Sequence, residues 1–283
     1  MQIVFTYTIP HTGTHFVMDL QHQGIPRDQC CKVDDMWWGQ RYKDGKSFED
    51  YEFDAPITGH QVTTLLRKMA KPNDQLMNKW DNLKLLLIKG HHWHRGKQLM
   101  EILHHHDPVD MHFVSPLRDP FLAIMTRSWQ GWYAYGKKAH EIRPLEQRKR
   151  EARRITQTYV DMLTTQPARV FLFPIDGEQS KTPNGRRTLA KRLYKHCGLT
   201  YGDAAQKFVN EWKPVNISQS KSEGAGQEKA YHSFEIMKQE YASGNIKFIK
   251  ENKFCNFEFE FLQGEEWLKK LLENAGYNNL PWW

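Results

Sequence analysis

Residues 2 to 16, Gln-Ile-Val-Phe-Thr-Tyr-Thr-Ile-Pro-His-Thr-Gly-Thr-His-Phe, constrain the fold more than any other stretch. A β-branched, apolar run of strand length stops at Pro10. A short Thr/Gly/His turn follows, and Phe16, Val17 and Leu20 open a helical pattern. A strand that feeds a Gly-containing turn and then a helix N-terminus is a recipe for an anion site. Backbone N–H groups converge on the turn, Gly13 permits close approach, Thr12 and Thr14 bring hydroxyls, and the helix dipole favours negative charge.

A second segment sharpens this reading. Met111-His112-Phe113-Val114-Ser115-Pro116-Leu117 has the look of another buried strand and runs into Arg118-Asp119-Pro120, after which Phe121 to Trp129 is helix-like. Two strand-end anion sites in one α/β chain suit a ligand with two separated phosphates. The pairing resembles the sulfotransferases that use 3′-phosphoadenosine-5′-phosphosulfate (PAPS). Their 5′-phosphosulfate loop has the form Pro-Lys-Ser-Gly-Thr-Thr, and their 3′-phosphate motif is Arg-Asp/Asn-Pro with a Ser eight residues after the Arg. Here the first is Pro10-His11-Thr12-Gly13-Thr14-His15, with His11 in place of the Lys. The second is Arg118-Asp119-Pro120, with Thr126 in place of the Ser.

The resemblance implies a three-layer α/β/α, P-loop NTPase-like sulfotransferase fold around a central parallel sheet. It also implies transfer of a sulfuryl group from PAPS to an acceptor hydroxyl, leaving adenosine 3′,5′-bisphosphate. Pro10, His11, Thr12, Gly13, Thr14, His15 and Phe16 are then expected to hold the 5′-phosphosulfate, and Arg118 with Thr126 the 3′-phosphate. A phosphate beside His11 favours its imidazolium, which would supply the cation that the family takes from Lys. Lys89-Gly90-His91-His92 follows the apolar Leu83–Ile88 run, where cytosolic sulfotransferases have Lys-Thr-His. His91 therefore matches the position of the general base, with His92 as the other candidate. A late Gly- and Lys-containing segment, with Lys221, Gly224 and Gly226 in the polar stretch 214–230, matches the loop that closes the nucleotide site in the family.

With 283 residues, one full-sized α/β domain is expected: a nucleotide-binding core over about 1–200 and a C-terminal substrate or lid region over about 201–283. A hydrophobic content of 39% excludes a disordered chain. The net charge of +7 suits an anionic ligand, and equally nucleic acid. No stretch reaches the roughly 18 apolar residues of a membrane span. A strand starting at residue 2 or 3 leaves no room for a leader or anchor, so a soluble protein is expected. Cys30, Cys31, Cys197 and Cys255 have no CxxC spacing, which points to reduced thiols and a cytoplasmic location.

Apolar runs at 83–88, 111–117 and 168–173 read as buried strands, and a short strand is expected within 24–56. Helical patterns fall at 58–70, 98–105, 119–135, 145–165 and 185–196, the last ended by Gly198. Alternation of strand and helix argues for a parallel sheet covered on both faces, with functional residues at the carboxyl ends of its strands. Beyond residue 200 the pattern weakens.

Other constellations carry less. Gly45-Lys46-Ser47 is no Walker A loop, because Gly39 stands one residue too early and no buried strand precedes it. His91, His92, His94 and the run His104-His105-His106 lack the spaced, Cys-containing pairs of zinc sites, so no metal is expected. Arg148-Lys149-Arg150 and Arg153-Arg154 read as a solvated basic helix face, and no nucleic-acid signature accompanies them. Trp37, Trp38, Trp129, Trp132, Tyr133 and Tyr135 offer stacking surfaces that favour a glycan or glycolipid hydroxyl as acceptor. The alternative reading is a different nucleotide binder, kinase-like, or a nucleic-acid-binding protein.

Overall fold

The computed structural model describes residues 2–7, 13–33, 82–90, 111–125, 144–164, 170–212 and 236–283. Its strands are β1 (Gln2–Tyr7), β2 (Cys30–Val33), β3 (Leu85–Gly90), β4 (Met111–Leu117) and β5 (Val170–Pro174). They form one five-stranded sheet in the order β2-β3-β1-β4-β5, every adjacent pair parallel. The strands are near-continuous apolar runs because both faces are covered. Ile3 and Phe5 face one helical layer while Val4 faces the other, and Leu86 and Ile88 alternate with Leu85 and Leu87 in the same way.

On one face lie α1 (Thr14–His22), α3 (Pro183–His196) and α4 (Asp203–Glu211), with Phe16, Val17, Leu20, Leu189, Leu193 and Val209 in the core. On the other lies α2 (Leu145–Thr164), which buries Ala152, Ile155, Tyr159 and Met162 at helical spacing. Three short helices complete that layer: α5 (Ile246–Glu251), α6 (Asn256–Gln263) and α7 (Glu266–Asn274), contributing Ile249, Phe259, Leu262, Leu268 and Leu272. Residues 236–242 are also helical, and their Met237 and Tyr241 join the same core. The helices of the weakly patterned C-terminal third therefore share a core with the sheet itself.

Local signals start and end α3, which begins two residues before the 185–196 expected from sequence. Thr182 accepts a hydrogen bond from Gly185 N (3.1 Å) and Pro183 opens α3, a side-chain cap followed by a preorganised first residue. Gly198, just past the helix, takes φ 62°. One expectation needs correcting. Arg148 does not lie on a solvated face: its guanidinium is buried and meets Glu258 of α6 through two parallel contacts, Nε to Oε1 (2.8 Å) and Nη2 to Oε2 (2.5 Å). It also donates to the Lys253 carbonyl (3.3 Å) and lies over the Phe257 ring. Lys149 and Arg154 do pair within α2, with the exposed Glu146 and the partly buried Glu151.

The order of strands locates a crevice. From β1 the chain moves toward β2 at one edge, and from β4 it moves toward β5 at the other, yet β1 and β4 are neighbours. Their following loops must diverge, and ligands of open α/β sheets bind where that happens, outside the carboxyl ends of the strands. Among the described residues no helix is long and apolar enough to cross a membrane.

Candidate functional site

Both anion-binding turns inferred from sequence follow strands that border this crevice. Gly13 caps the N-terminus of α1 with φ 87° and ψ 25°, the left-handed region that disfavours a side chain. It is also close-packed: a β-carbon at this position would lie 2.3 Å from Ile175 Cδ1. Ile175 directly follows β5, and its N–H donates to the Leu117 carbonyl at the end of β4 (2.9 Å). The next residue, Asp176, faces Arg118, with Oδ2 3.8 Å from the guanidinium Nε. Ile175-Asp176 thus bridges the two turns, touching Gly13 with one side chain and Arg118 with the other.

The first turn of α1 directs backbone N–H groups along the helix axis. Thr14 is buried there and His15 is exposed. Phe16 does not present its side chain to a ligand; the ring is in the core, 4.7 Å from Trp212 and 5.4 Å from Phe208 between centroids. Only its backbone N–H belongs to the turn. From β3, Lys89 reaches His15: the ammonium lies 3.2 Å from Nε2 although the lysine is only 8% exposed. The geometry follows from strand alternation, since Lys89 is in register with Thr6 on the face that α1 covers. Thr6 Oγ1 is fully buried and has no hydrogen-bond partner among the described residues. Lys89 thus ties β3 to the first turn of α1, and the buried Thr6 hydroxyl is its register neighbour on β1.

The second turn is built more rigidly. Asp119 Oδ1 accepts from Phe121 N (2.9 Å) and Pro120 starts the helical residues 120–125, so Asp119 acts as an N-terminal cap. The same carboxylate accepts from Tyr241 Oη (2.6 Å) and Trp282 Nε1 (3.0 Å), donors from the last fifth of the chain. Asp119 N in turn donates to both oxygens of Asp176 (3.0 and 3.2 Å), which also accepts from Tyr277 Oη (2.9 Å). Tyr159 of α2 donates to the Arg118 carbonyl (2.6 Å).

Burial pushes the Asp119 carboxyl up to about 7, with the neighbouring Asp176 carboxylate adding to the rise and the Tyr241 and Trp282 donors opposing it. Burial also raises Asp176, against the pull of Arg118. The phenols of Tyr159, Tyr241 and Tyr277 are held well above their ordinary range, first by burial, so each stays a donor. The four cysteines are buried thiols away from this network, and burial pushes Cys197 and Cys255 up to about 12. Neither is a thiolate at neutral pH.

Of the residues assigned from sequence, the structure brings Gly13, Thr14, His15 and the Phe16 backbone to the carboxyl edge of the sheet, with Arg118 across Ile175-Asp176. Pro10, His11, Thr12, His91, His92, Thr126, the stretch 214–230, His104 to His106 and the aromatic residues named as acceptor surfaces lie outside the described residues. Residues that sequence reasoning missed are Tyr159, Asp176, Tyr241, Tyr277 and Trp282. The signal for Asp176 was its place in Pro174-Ile175-Asp176-Gly177, a polar turn at the end of a buried strand; Tyr277 and Trp282 carried none, being remote in sequence from what they hold. Neither family models nor curated proteins match the chain.

Proposed function

We propose that this protein is a sulfotransferase that takes the sulfuryl group of PAPS to an acceptor hydroxyl, with a glycan or glycolipid as the acceptor class. The observation that carries the reading is that the residues after the adjacent strands β1 and β4, each read from sequence as an anion site, both meet the residue pair Ile175-Asp176 beyond β5. One turn alone would fit any phosphate; two across one crevice fit a nucleotide phosphorylated at both ends.

The residues present suit such a donor. Gly13, whose left-handed backbone glycine adopts most readily, turns the chain so that a phosphosulfate can reach the N–H groups of α1. Arg118, in ion-pair contact with Asp176, provides the guanidinium for the 3′-phosphate, a charge-assisted contact, and Thr126 completes the motif in the sequence. PAPS supplies the activated sulfuryl group. Transfer forms a bond from the acceptor oxygen to sulfur while the bond to the bridging oxygen breaks, so the chain must remove a proton on one side and stabilise charge on the other. His91, one residue beyond the end of β3, takes the acceptor's proton. His11 and His15 stabilise the bridging oxygen, and Lys89, held against His15, adds the positive charge that the loop lacks through its Lys-to-His replacement. Positioning and charge complementarity then carry most of the catalysis, as in phosphoryl transfer.

Thermal unfolding tests the reading directly. Adenosine 3′,5′-bisphosphate is expected to raise Tm far more than ATP with Mg²⁺, by mass action on the native state. An equal or larger response to ATP with Mg²⁺ would favour the kinase-like alternative. Transfer of label from PAPS across a panel of hydroxylated acceptors then identifies the substrate.

A further inference from the structure

We infer that Asp176 is the positioning residue for Arg118, and that Tyr277 anchors it, so that residues from the end of β5 and from beyond α7 orient the 3′-phosphate contact. This inference rests on the proposed role of Arg118. Arginine presents its N–H donors in a rigid planar fork, so bidentate recognition of a phosphate depends on the plane in which the guanidinium is held. Arg118 is held at its main chain by the Tyr159 hydroxyl, and the Asp176 carboxylate faces its Nε edge at 3.8 Å, an ion-pair contact longer than a hydrogen bond. Asp176 is itself immobilised, its oxygens engaged by Asp119 N–H and the Tyr277 hydroxyl. The partners of Asp119, Tyr241 and Trp282, lock the turn from beneath. A carboxylate this firmly held beside a cation at the mouth of an anion site is an unusual expense unless it orients that cation, because its charge opposes the incoming phosphate.

That opposition makes the inference decidable. If Asp176 were a mere counter-ion, its neutralisation would strengthen phosphate binding; if it positions Arg118, neutralisation would weaken it. The experiment compares the wild type with Asp176→Asn, Asp176→Glu and Tyr277→Phe, using adenosine 3′,5′-bisphosphate and adenosine 5′-phosphate as calorimetric probes. The Arg118 Nε–H resonance is followed without ligand. Asp176→Asn is expected to lose about tenfold in bisphosphate affinity, the scale of one loosened charge-assisted contact, with the monophosphate unaffected. Asp176→Glu should restore part of the loss, and Tyr277→Phe, which keeps the ring, should give an intermediate one. In a transfer assay the change should appear in KM for PAPS and not in kcat. The Nε–H resonance should move toward that of solvent-exposed arginines in Asp176→Asn. Unchanged or tighter bisphosphate binding by Asp176→Asn would overturn the inference. If the wild type fails to distinguish the two nucleotides, the sulfotransferase reading falls on its own. The resonance still decides the positioning role: displacement in Asp176→Asn upholds it, and an unmoved signal removes it.

Discussion

Gly13 and Arg118 are the residues on which the candidate site turns, and each fails in a different way when changed. Gly13→Ala puts a methyl group into Ile175 and demands a positive φ of a residue that resists it. The expected outcome is a protein that folds, with Tm lowered modestly, but has lost at least tenfold in affinity for adenosine 3′,5′-bisphosphate, as titration calorimetry would show. Arg118→Ala should weaken the bisphosphate by roughly 1.5–3 kcal/mol while barely altering adenosine 5′-phosphate; equal loss for both would remove Arg118 from the 3′-phosphate site. Gly13 was legible in the sequence because its role is local, a turn between strand and helix. Asp176 was not, since its partner Arg118 follows a neighbouring strand whose adjacency only the sheet order reveals.

Among elements, the join between α2 and α6 is the most informative. Phe257-Glu258-Phe259-Glu260-Phe261 alternates with the period of a strand, yet it lies in a helix. Tertiary contacts override the local pattern: Phe259 is buried in the core, and Glu258 turns inward to meet the buried Arg148. This explains why the C-terminal third resisted sequence reading while the apolar runs of β1, β3, β4 and β5 did not. Those strands are covered on both faces and announce themselves by composition alone. Breaking the pair from one side should be costly. Glu258→Ala is expected to destabilise by about 3–5 kcal/mol in urea unfolding, because it strands a buried guanidinium. The double variant Arg148→Met, Glu258→Leu should recover most of that loss; a double variant as unstable as the single one would show that the pair contributes net stability.

At the scale of the whole molecule, the buried Asp119 carboxyl and the partly buried Asp176 beside it make stability depend on pH in an uncommon direction. Asp119 titrates at about 7 in the fold against 3.8 for an ordinary Asp, so between those values the native state holds a proton that the unfolded chain has released. Its stabilising contribution is complete below the lower value and declines as pH rises through the upper one, with a slope of up to about 1.4 kcal/mol per pH unit. Asp176, also raised, acts with the same sign. Unfolding free energy should therefore fall between about pH 4 and pH 7, and Asp119→Asn, whose amide can still accept from Trp282 and donate to Tyr241, should flatten that fall. A stability that instead climbs steadily over this range would mean that both carboxyls stay ionised.

The sheet's order also governs how such a molecule must come into being. β1 is synthesised before both of the strands that flank it in the finished sheet. Gln2 waits for Leu85 on one side and Ile3 for Met111 on the other. Until β3 and β4 have emerged, its apolar residues have two open edges and nothing to pair with, a configuration that invites association with other chains. Contacts so distant in sequence make for slow closure. Refolding from denaturant should accordingly give better yields at low protein concentration, and a fragment that stops short of β4 should aggregate where the longer chain folds.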